Sequence, residues 1–514
     1  MKNAFARAAF DWLERRAELS GDKVAIEDMH TGKSLTYREM NYRASKLANA
    51  WVNKWGLRKG DRIGILAKNC PEYLESYFAA GKIGAILVPL GIRLTGPELS
   101  YIINDCQPKG IILGEEFART ISEAARDTNV SEYLLLDRAN LEGMVPYQKF
   151  LDESDVLMTR TPEPVGLDDP HVILYTSGTT GYPKGAIQTH GNILFNSLNA
   201  MLALDIISKD VFLCGLPLFH TGGLHVQTTP TLHAGGTIVL LRSFDAGQTL
   251  QLIHEKKVNT IFLVYTMWQM MWQHELFNKT DFSGLRVAWS GGGPCPLPVL
   301  KAFQDKGIHL SQGYGLTEAG PDATVLLGED SIRKAGSIGK PTFYTEMRIV
   351  NEDGFDVRLG EIGEIVLRGP TVTIGYWNRQ EATSEAFKNG WFHTGDLAYK
   401  DDEGYYYIVD RKKDMIISGG EKIYPAEVEK IIYQYPNVAK AAVIGLPDLR
   451  WGEVGHAVIC PKKGETVTEK EILDFLEGKL ARFKIPKSFS FMDELPQSPS
   501  GKILKRILKE SIVK

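Results

Sequence analysis

The sequence predicts an α/β fold in which mostly parallel sheets are covered by helices. Short apolar strands alternate with amphipathic helices along most of the chain, as parallel sheets with helical crossovers require. The 514 residues, 43% hydrophobic and 24% charged, are enough for more than one core. From about residue 337 the pattern changes to short strands between glycine-rich turns, followed by a compact tail. We therefore expect a large α/β region, a small β unit and a small α+β domain.

The N-terminal third shows the alternation clearly. Thr36 and Glu39 have the spacing of a capping box, which predicts a helix over residues 37–51. Pro71 favours the first turn of a helix over residues 71–80. Strands are predicted at residues 61–67, 85–88, 109–113 and 172–175.

The rest of the chain continues the pattern and then changes it. Strands are predicted at residues 211–214, 237–241, 260–264 and 285–289, and shorter ones at 346–350 and 363–368. The tail is predicted to hold helices at 425–433 and 468–480 and strands at 441–444 and 456–460. A charged segment, Asp410–Asp414, precedes the tail, so we place a domain boundary near Lys413. It separates an N-terminal domain, 1–412, from a C-terminal domain, 413–514.

Composition excludes several classes of protein. The net charge of −4 and a pI near 6.3 argue against nucleic-acid binding. No apolar run reaches the length of a membrane span, and residues 1–16 predict an amphipathic helix and not a signal peptide. Five scattered cysteines without a CxxC pair argue against disulfides and zinc, so a cytoplasmic location is expected.

A glycine- and hydroxyl-rich segment, residues 175–185, is the strongest chemical signal. It follows a predicted strand, and such a loop can surround a polyphosphate with hydroxyl and backbone N–H donors. It is not a Walker A loop, because Pro183 precedes Lys184 and Gly185 follows it. The predicted phosphate-binding residues are Thr176, Ser177, Gly178, Thr179, Thr180, Gly181 and Lys184.

Four further segments carry residues suited to a nucleotide. A glycine turn follows a strand at Gly291, Gly292 and Gly293, and an aromatic and acidic motif holds Gln312, Gly313, Tyr314, Gly315, Thr317 and Glu318. Tyr314 can stack on a base, Thr317 can bind a phosphate, and Glu318 can bind Mg²⁺. Asp396 and Arg411 suit two ribose hydroxyls. Taken singly, these are also explained as a tight turn, a buried tyrosine and a surface salt bridge.

In this order the motifs resemble those of acyl-CoA synthetases in the adenylate-forming superfamily, which also contains luciferases and peptide-synthetase adenylation domains. The resemblance extends from Leu35 to Lys502 and is strongest to bacterial fatty-acyl-CoA synthetases. It implies an N-terminal domain of two helix-covered sheets plus a β-barrel-like unit, and a mobile C-terminal domain. The implied cofactors and substrates are ATP, Mg²⁺, coenzyme A and a small carboxylic acid.

The resemblance also implies the role of each residue. Lys184 and the loop hydroxyls hold the β- and γ-phosphates, Thr317 contacts the α-phosphate, and Glu318 binds Mg²⁺. Asp396 and Arg411 hold the ribose, while Tyr314 and Gly291–Gly293 flank the adenine. Lys502 bridges the carboxylate and the α-phosphate during adenylation. Rotation about Lys413 then brings Ser418, Gly419 and Gly420 towards the site for the attack of the CoA thiol.

The acid is the least determined part of this interpretation. His220 stands where peptide-synthetase domains carry an aspartate for the substrate amine, so an amino acid is disfavoured, and His220 is interpreted either as a wall of the site or as a structural histidine. Residues 264–271 and Trp289 offer either an apolar lining or plain core. No cation in these segments suits a dicarboxylic acid.

We expect a medium- or long-chain fatty acid, with an aryl acid of the coumarate, ferulate or benzoate type as the alternative. Transfer of the adenylate to a carrier protein and a non-catalytic binding module are the other classes considered. Peripheral membrane contact, which a fatty substrate favours, and a homodimer are left open.

Overall fold

The computed structural model describes residues 11–126, 128–136, 141–154, 164–176, 182–418, 421–477, 479–497 and 503–513. The chain divides into two compact units. The first comprises Met1–Met347 with Leu367–Phe392, and the second comprises Arg348–Val366 with His393–Lys514.

The first part of the first unit holds two strands of a nine-stranded sheet, described below, and then a seven-stranded sheet with its helices. The elements are α1 (Trp12–Ser20), β1 (Val24–Asp28), β2 (Ser34–Thr36), α2 (Tyr37–Trp55), β3 (Arg62–Leu66), α3 (Pro71–Ile83), β4 (Ile86–Pro89), α4 (Gly96–Cys106), β5 (Gly110–Leu113), α5 (Ala118–Ala125), β6 (Glu132–Leu135), β7 (Val145–Pro146), α6 (Tyr147–Asp152), β8 (Pro170–Thr176) and β9 (Lys184–Thr189). The strand order is β7-β6-β5-β3-β4-β8-β9, parallel except for β9.

A nine-stranded sheet follows in the same unit. Its elements are α7 (His190–Leu204), β10 (Val211–Cys214), α8 (Thr221–Leu224), α9 (Thr228–Ala234), β11 (Thr237–Leu240), α10 (Ala246–Glu255), β12 (Thr260–Val264), α11 (Tyr265–Gln273), β13 (Val287–Gly291), α12 (Leu297–Gln304), β14 (Ser311–Leu316), β15 (Gly320–Leu326) and β16 (Lys340–Pro341). The order is β16-β15-β14-β13-β12-β10-β11-β1-β2, with a parallel centre from β1 to β14.

The remaining elements are two smaller sheets and the helices that accompany them. They are β17 (Glu346–Val350), β18 (Gly363–Arg368), α13 (Gln380–Ala386), β19 (Phe387–Lys388), β20 (Trp391–Lys400), β21 (Tyr406–Arg411), β22 (Ile416–Ser418), β23 (Glu421–Ile423), α14 (Pro425–Ile432), β24 (Val438–Asp448), β25 (Gly452–Pro461), α15 (Glu469–Leu476), β26 (Ser488–Phe491) and α16 (Lys505–Ile512). One sheet has the order β17-β18-β20-β19 with β21 on β20, and the other β23-β22-β25-β24 with β26 on β25.

These observations confirm the α/β class, the helix-covered parallel sheets and the smaller C-terminal domain. The capping box of α2 is present, and α2 runs four residues beyond the predicted end, to a left-handed Gly56 with φ of 62°. The strand predicted at 285–289 lies at Val287–Gly291, because Leu285 N–H donates to Phe282 O in a turn. The N-terminal helix predicted from residue 1 lies partly outside the described residues. Within the described part of the chain, no helix is long and apolar enough to cross a bilayer.

Candidate active site

Glu318 lies where the two large sheets of the first unit approach each other. It follows β14, while Thr176 ends β8 in the other sheet and pairs with Lys184, the first residue of β9. The Thr176 hydroxyl donates to Glu318 Oε1 at 3.0 Å. The structure thus brings together three residues predicted for phosphate and metal binding. The other loop residues, Ser177–Gly181, lie outside the described residues.

The turn that carries Thr317 and Glu318 is held through its backbone. Gln188 Nε2 donates to Thr317 O at 2.8 Å, and the N–H of Thr373 donates to Glu318 O at 2.7 Å. These bonds come from β9 and from the segment after β18. They hold the backbone of the turn from which both side chains project.

The predicted glycines allow close approach of backbone to rings. A Cβ on Gly313 would lie 2.6 Å from the Trp289 ring, and one on Gly315 would lie 2.1 Å from Pro321 O. Gly292 has φ of 76°, which favours glycine. Gly291 and Gly293 lie against the rings of Phe262 and Tyr265, at 3.0 and 3.3 Å from an added Cβ.

The two segments predicted to flank the adenine are neighbours in the sheet. Strands β13 and β14 pair in parallel with Ser290 opposite Gln312, so the Gly291–Gly293 turn and the Gln312–Gly315 segment leave the same edge. The Gln312 side chain accepts from Cys295 N–H at 3.0 Å, which ties the two together. The structure thus places these two segments side by side, with Tyr314 half-buried.

In the second unit, Asp396 and Arg411 form a pair. They stand opposite each other on β20 and β21, with Asp396 Oδ1 and Arg411 Nε 2.5 Å apart. Asp396 is 3% exposed, so this is not a surface salt bridge. Lys413 follows in an exposed turn in which Asp414 N–H donates to Arg411 O, and Ser418 ends β22. Gly419, Gly420 and Lys502 lie outside the described residues.

His220 is a neutral, largely enclosed histidine. Burial, with a smaller contribution from the Arg93 charge, lowers its pKa to about 4. Among the described residues its Nε2 has no hydrogen-bond partner. Its ring lies against that of Phe219, with 4.4 Å between the ring centroids. The cation Arg93 comes from the loop after β4, a position that the local sequence around His220 could not indicate.

Segment 264–271, which the sequence allows to be either a lining of the acid site or part of the core, belongs to the core at two positions. Trp268 and Met271 are fully buried in a core cluster, and Trp268 packs edge-on against Phe303. Trp268 Nε1 donates to Trp289 O at 3.3 Å. Met270 is exposed, whereas Tyr265 remains half-buried beside the Gly293 backbone.

Tyr376 was missed by sequence reasoning. Its hydroxyl donates to Glu318 Oε1 at 3.2 Å, and Lys184 Nζ lies 5.5 Å from its ring centroid. Burial, with the Glu318 charge and the hydrogen bond to it, raises the pKa of the Tyr376 phenol, so the hydroxyl keeps its proton. A single Gly-Tyr-Trp run at 375–377 gives no local sign of this contact.

Two family models match the chain. The model of AMP-binding enzymes matches residues 13–377, and that of the AMP-binding enzyme C-terminal domain matches residues 427–502. A feruloyl-CoA synthase of Amycolatopsis sp is 43% identical over 96% of this chain and 97% of its own length. An indoleacetate–CoA ligase of Aromatoleum aromaticum is 38% identical over 98% of both chains, and the long-chain-fatty-acid–CoA ligase FadD13 of Mycobacterium tuberculosis is 38% identical over 97% of both.

Solved structures agree with these matches. The o-succinylbenzoate–CoA synthetase of Bacillus subtilis in complex with ATP and magnesium superposes with a TM-score of 0.86 at 33% identity, covering 97% of this chain and 99% of that one. ATP-bound MatB of Rhodopseudomonas palustris gives a TM-score of 0.87 at 33% identity over 98% of both chains.

Proposed function

The chain belongs to the AMP-binding enzyme family, and from this premise we propose how its residues carry out the ligase reaction. The protein is an AMP-forming carboxylate–CoA ligase that uses ATP, Mg²⁺ and coenzyme A. In the first half-reaction the acid carboxylate attacks the α-phosphorus of ATP, which forms an acyl-adenylate and releases pyrophosphate. In the second, the CoA thiol attacks the acyl carbonyl, which forms the thioester and releases AMP.

Charge stabilisation at the polyphosphate is the first requirement, because both reactants of the first step are anionic. Lys184 and the Thr176 hydroxyl bind the β- and γ-phosphates, and Thr317 binds the α-phosphate. The meeting of Thr176, Lys184 and Glu318 at two sheet ends is the observation that carries this assignment. Positioning of the reactants and electrostatic stabilisation by such donors account for most of the rate enhancement of nucleophilic attack at phosphorus.

The residues at this point fit a magnesium ion. Both hydrogen bonds to Glu318 fall on Oε1, and Oε2 accepts none from the described residues. A carboxylate oxygen is the ligand that Mg²⁺ prefers together with substrate phosphates. When bound, the ion neutralises developing phosphate charge.

The nucleoside contacts complete the ATP site. Asp396 and Arg411 hold the two ribose hydroxyls as a buried carboxylate and a fork of donors. Tyr314 and the Gly291–Gly293 turn flank the adenine, with Gln312, Gly313 and Gly315 giving backbone access. This is supported by the parallel pairing of β13 with β14 and by the aromatic rings against the glycines.

The C-terminal domain, 413–514, serves both half-reactions by rotating relative to domain 1–412 about Lys413. Lys502 acts in adenylation, and Ser418, Gly419 and Gly420 approach the site for thioester formation. Support comes from the separate match of the C-terminal family model. Lys502→Ala is expected to abolish ATP-dependent adenylation and to retain CoA thioester formation from supplied acyl-adenylate. Equal loss of both half-reactions would contradict the role of Lys502.

We further propose that the acid is a hydrophobic aryl or arylalkanoic monocarboxylate. The half-buried ring of Tyr265 lies against the Gly293 backbone and offers a flat, rigid face. Trp268 and Met271 are committed to the core, which removes part of the flexible lining that favours a long chain. Two relatives named for aromatic acids, feruloyl-CoA synthase and indoleacetate–CoA ligase, point the same way.

A fatty acid is the second candidate, because the 38% identical relative is named for long-chain fatty acids. His220 lies near the carboxylate in either case, as a neutral wall of the site. The expected location is cytoplasmic, which five free, buried cysteines support. Vesicle flotation and light scattering would test peripheral membrane contact and a homodimer.

A substrate panel tests the acid. Ferulate, indoleacetate, octanoate, palmitate and phenylalanine are each supplied with ATP and Mg²⁺, and AMP release is measured with and without CoA. We expect kcat/KM for an aryl acid at least about tenfold above either fatty acid, a difference of about 1.4 kcal/mol in transition-state binding. The reverse ranking would select the fatty acid. AMP release at full rate without CoA would reject the ligase assignment, and Glu318→Gln is the inactive control.

A further inference from the structure

Tyr376 connects two groups of the site that bind different parts of MgATP. Its hydroxyl donates to Glu318 Oε1, and its ring face lies 5.5 Å from Lys184 Nζ. Glu318 is the proposed metal ligand, and Lys184 is the proposed phosphate cation. One side chain therefore contacts both the acidic and the basic part of the site.

The segment around Tyr376 is fixed against the strand that carries Lys184. Tyr376 forms a bridge with Ala186, and the N–H of Trp377 donates to Gly185 O at 2.7 Å. On the other side, Thr383 Oγ1 accepts from the Tyr376 N–H at 2.9 Å. The backbone of Tyr376 is thus held at fixed register beside β9.

A buried carboxylate extends this support to β8. Asp105, at the end of α4, accepts from the Tyr175 hydroxyl at 2.6 Å and from Arg379 Nη2 at 2.6 Å. Its backbone oxygen accepts from Trp377 Nε1 at 3.3 Å. Because Tyr175 precedes Thr176, the two donors to Glu318 Oε1 are tied to each other through Asp105.

We propose that Tyr376 is a positioning residue that orients Glu318 for Mg²⁺ and holds Lys184 for the polyphosphate. The hydroxyl, together with Thr176, occupies Oε1 and leaves Oε2 for the ion. The ring attracts the ammonium through its π face and keeps Lys184 near the metal side of the site. The inference rests on the proposed metal role of Glu318.

The two functions of the side chain can be separated by substitution. Tyr376→Phe keeps the ring over Lys184 and removes only the hydroxyl, whereas Tyr376→Leu removes both. Tyr147→Phe is the matched control, since the Tyr147 hydroxyl donates at 2.8 Å to the buried carboxylate of Glu75, neither of which belongs to the proposed site. If the loss of any buried hydroxyl–carboxylate hydrogen bond weakened metal binding, Tyr147→Phe would weaken it as well.

Metal binding is measured without turnover. Mn²⁺ replaces Mg²⁺, free Mn²⁺ is followed by its electron paramagnetic resonance signal, and α,β-methylene-ATP occupies the nucleotide site. Removing a partner that orients a metal ligand weakens metal binding by about 10- to 100-fold, and because Thr176 keeps its bond we expect about tenfold for Tyr376→Phe. Binding of the metal-free nucleotide should be unchanged in Tyr376→Phe and about threefold weaker in Tyr376→Leu, from the lost cation–π contact.

Three outcomes decide the question. Weaker Mn²⁺ binding in Tyr376→Phe, with Tyr147→Phe like the parent, supports the inference. Parental Mn²⁺ binding in Tyr376→Phe, with Glu318→Gln strongly weakened, overturns it and leaves the proposed function intact. Parental Mn²⁺ binding in Glu318→Gln overturns the metal role of Glu318 and this inference with it.

Discussion

The imidazole of His225 is predicted to make the first unit sensitive to acid. It is 1% exposed, and neither ring nitrogen has a hydrogen-bond partner among the described residues. Burial, with a smaller contribution from His171, lowers its pKa from 6.5 to about 3. The Tyr77 ring lies 5.9 Å away between centroids, and Asn196 Nδ2 donates to the His225 carbonyl, so neither of these neighbours supplies a charge that compensates a protonated ring.

The magnitude follows from proton linkage. The folded pKa is below the unfolded value, so the full stability is present above the unfolded pKa and is lost as the pH falls below it. As the pH falls from about 7.5 to about 5.0, the unfolded chain takes up nearly one proton at this ring and the folded chain takes up almost none. The free energy of unfolding therefore falls by about 2 kcal/mol. The total free energy of unfolding of a domain is roughly 5–15 kcal/mol, so this change is a substantial part of it.

His225→Leu isolates this contribution. Leucine is close to histidine in volume and cannot titrate, and no hydrogen bond of the ring is lost. Urea unfolding is followed by tryptophan fluorescence, which reports on the first unit because all tryptophans except Trp451 belong to it. The difference in unfolding free energy between variant and parent should grow by about 2 kcal/mol in favour of the variant between about pH 7.5 and 5.0. A difference that does not change with pH would refute the reasoning.

Two other sites with buried ionisable side chains give further predictions. Burial raises the pKa of Asp322 well above its usual range, so the stability of the fold falls as the pH rises. Asp322→Asn should therefore raise the urea midpoint at neutral pH. This gain should fade towards about pH 4, where the carboxyl is protonated in both the folded and the unfolded chain. Lys82 and Asp11 form a buried ion pair at 2.8 Å, with each side chain 2% exposed. Lys82→Met should lower the free energy of unfolding by about 3–5 kcal/mol, because it leaves the Asp11 charge buried and unpaired. Adding Asp11→Asn to the same chain should restore most of this loss, as measured by urea unfolding.

Local patterns were sufficient for most of the fold. The predicted strands 211–214 and 260–264 coincide with β10 and β12, because apolar runs bounded by turns are typical of strands buried on both faces. The capping box at Thr36 set the start of α2 correctly. By contrast, the helix predicted over 468–480 is Glu469–Leu476, since apolar periodicity continues past the last residue with helical backbone.

The lining of the acid site could not be obtained in the same way. Trp268 and Met271 have the spacing of a helix face, but spacing does not say whether that face meets a ligand or another helix. The answer depends on Phe303 in α12, which fills the space against Trp268. Arg93 near His220 comes from a different sheet and has no local signal.

One carboxylate oxygen joins three parts of the first unit. Thr176 ends a strand of the seven-stranded sheet, Glu318 follows a strand of the nine-stranded sheet, and Tyr376 pairs with β9 from a segment 58 residues beyond Glu318. Thr176 and Glu318 follow strands of different sheets, so strand pairing does not group them; the resemblance of their motifs to those of acyl-CoA synthetases does. Tyr376 arrives by a long-range bridge, which no local pattern encodes. Since both donors share Oε1, the effects of removing Thr176 and Tyr376 hydroxyls on metal binding should be non-additive, as expected for groups that act on one atom.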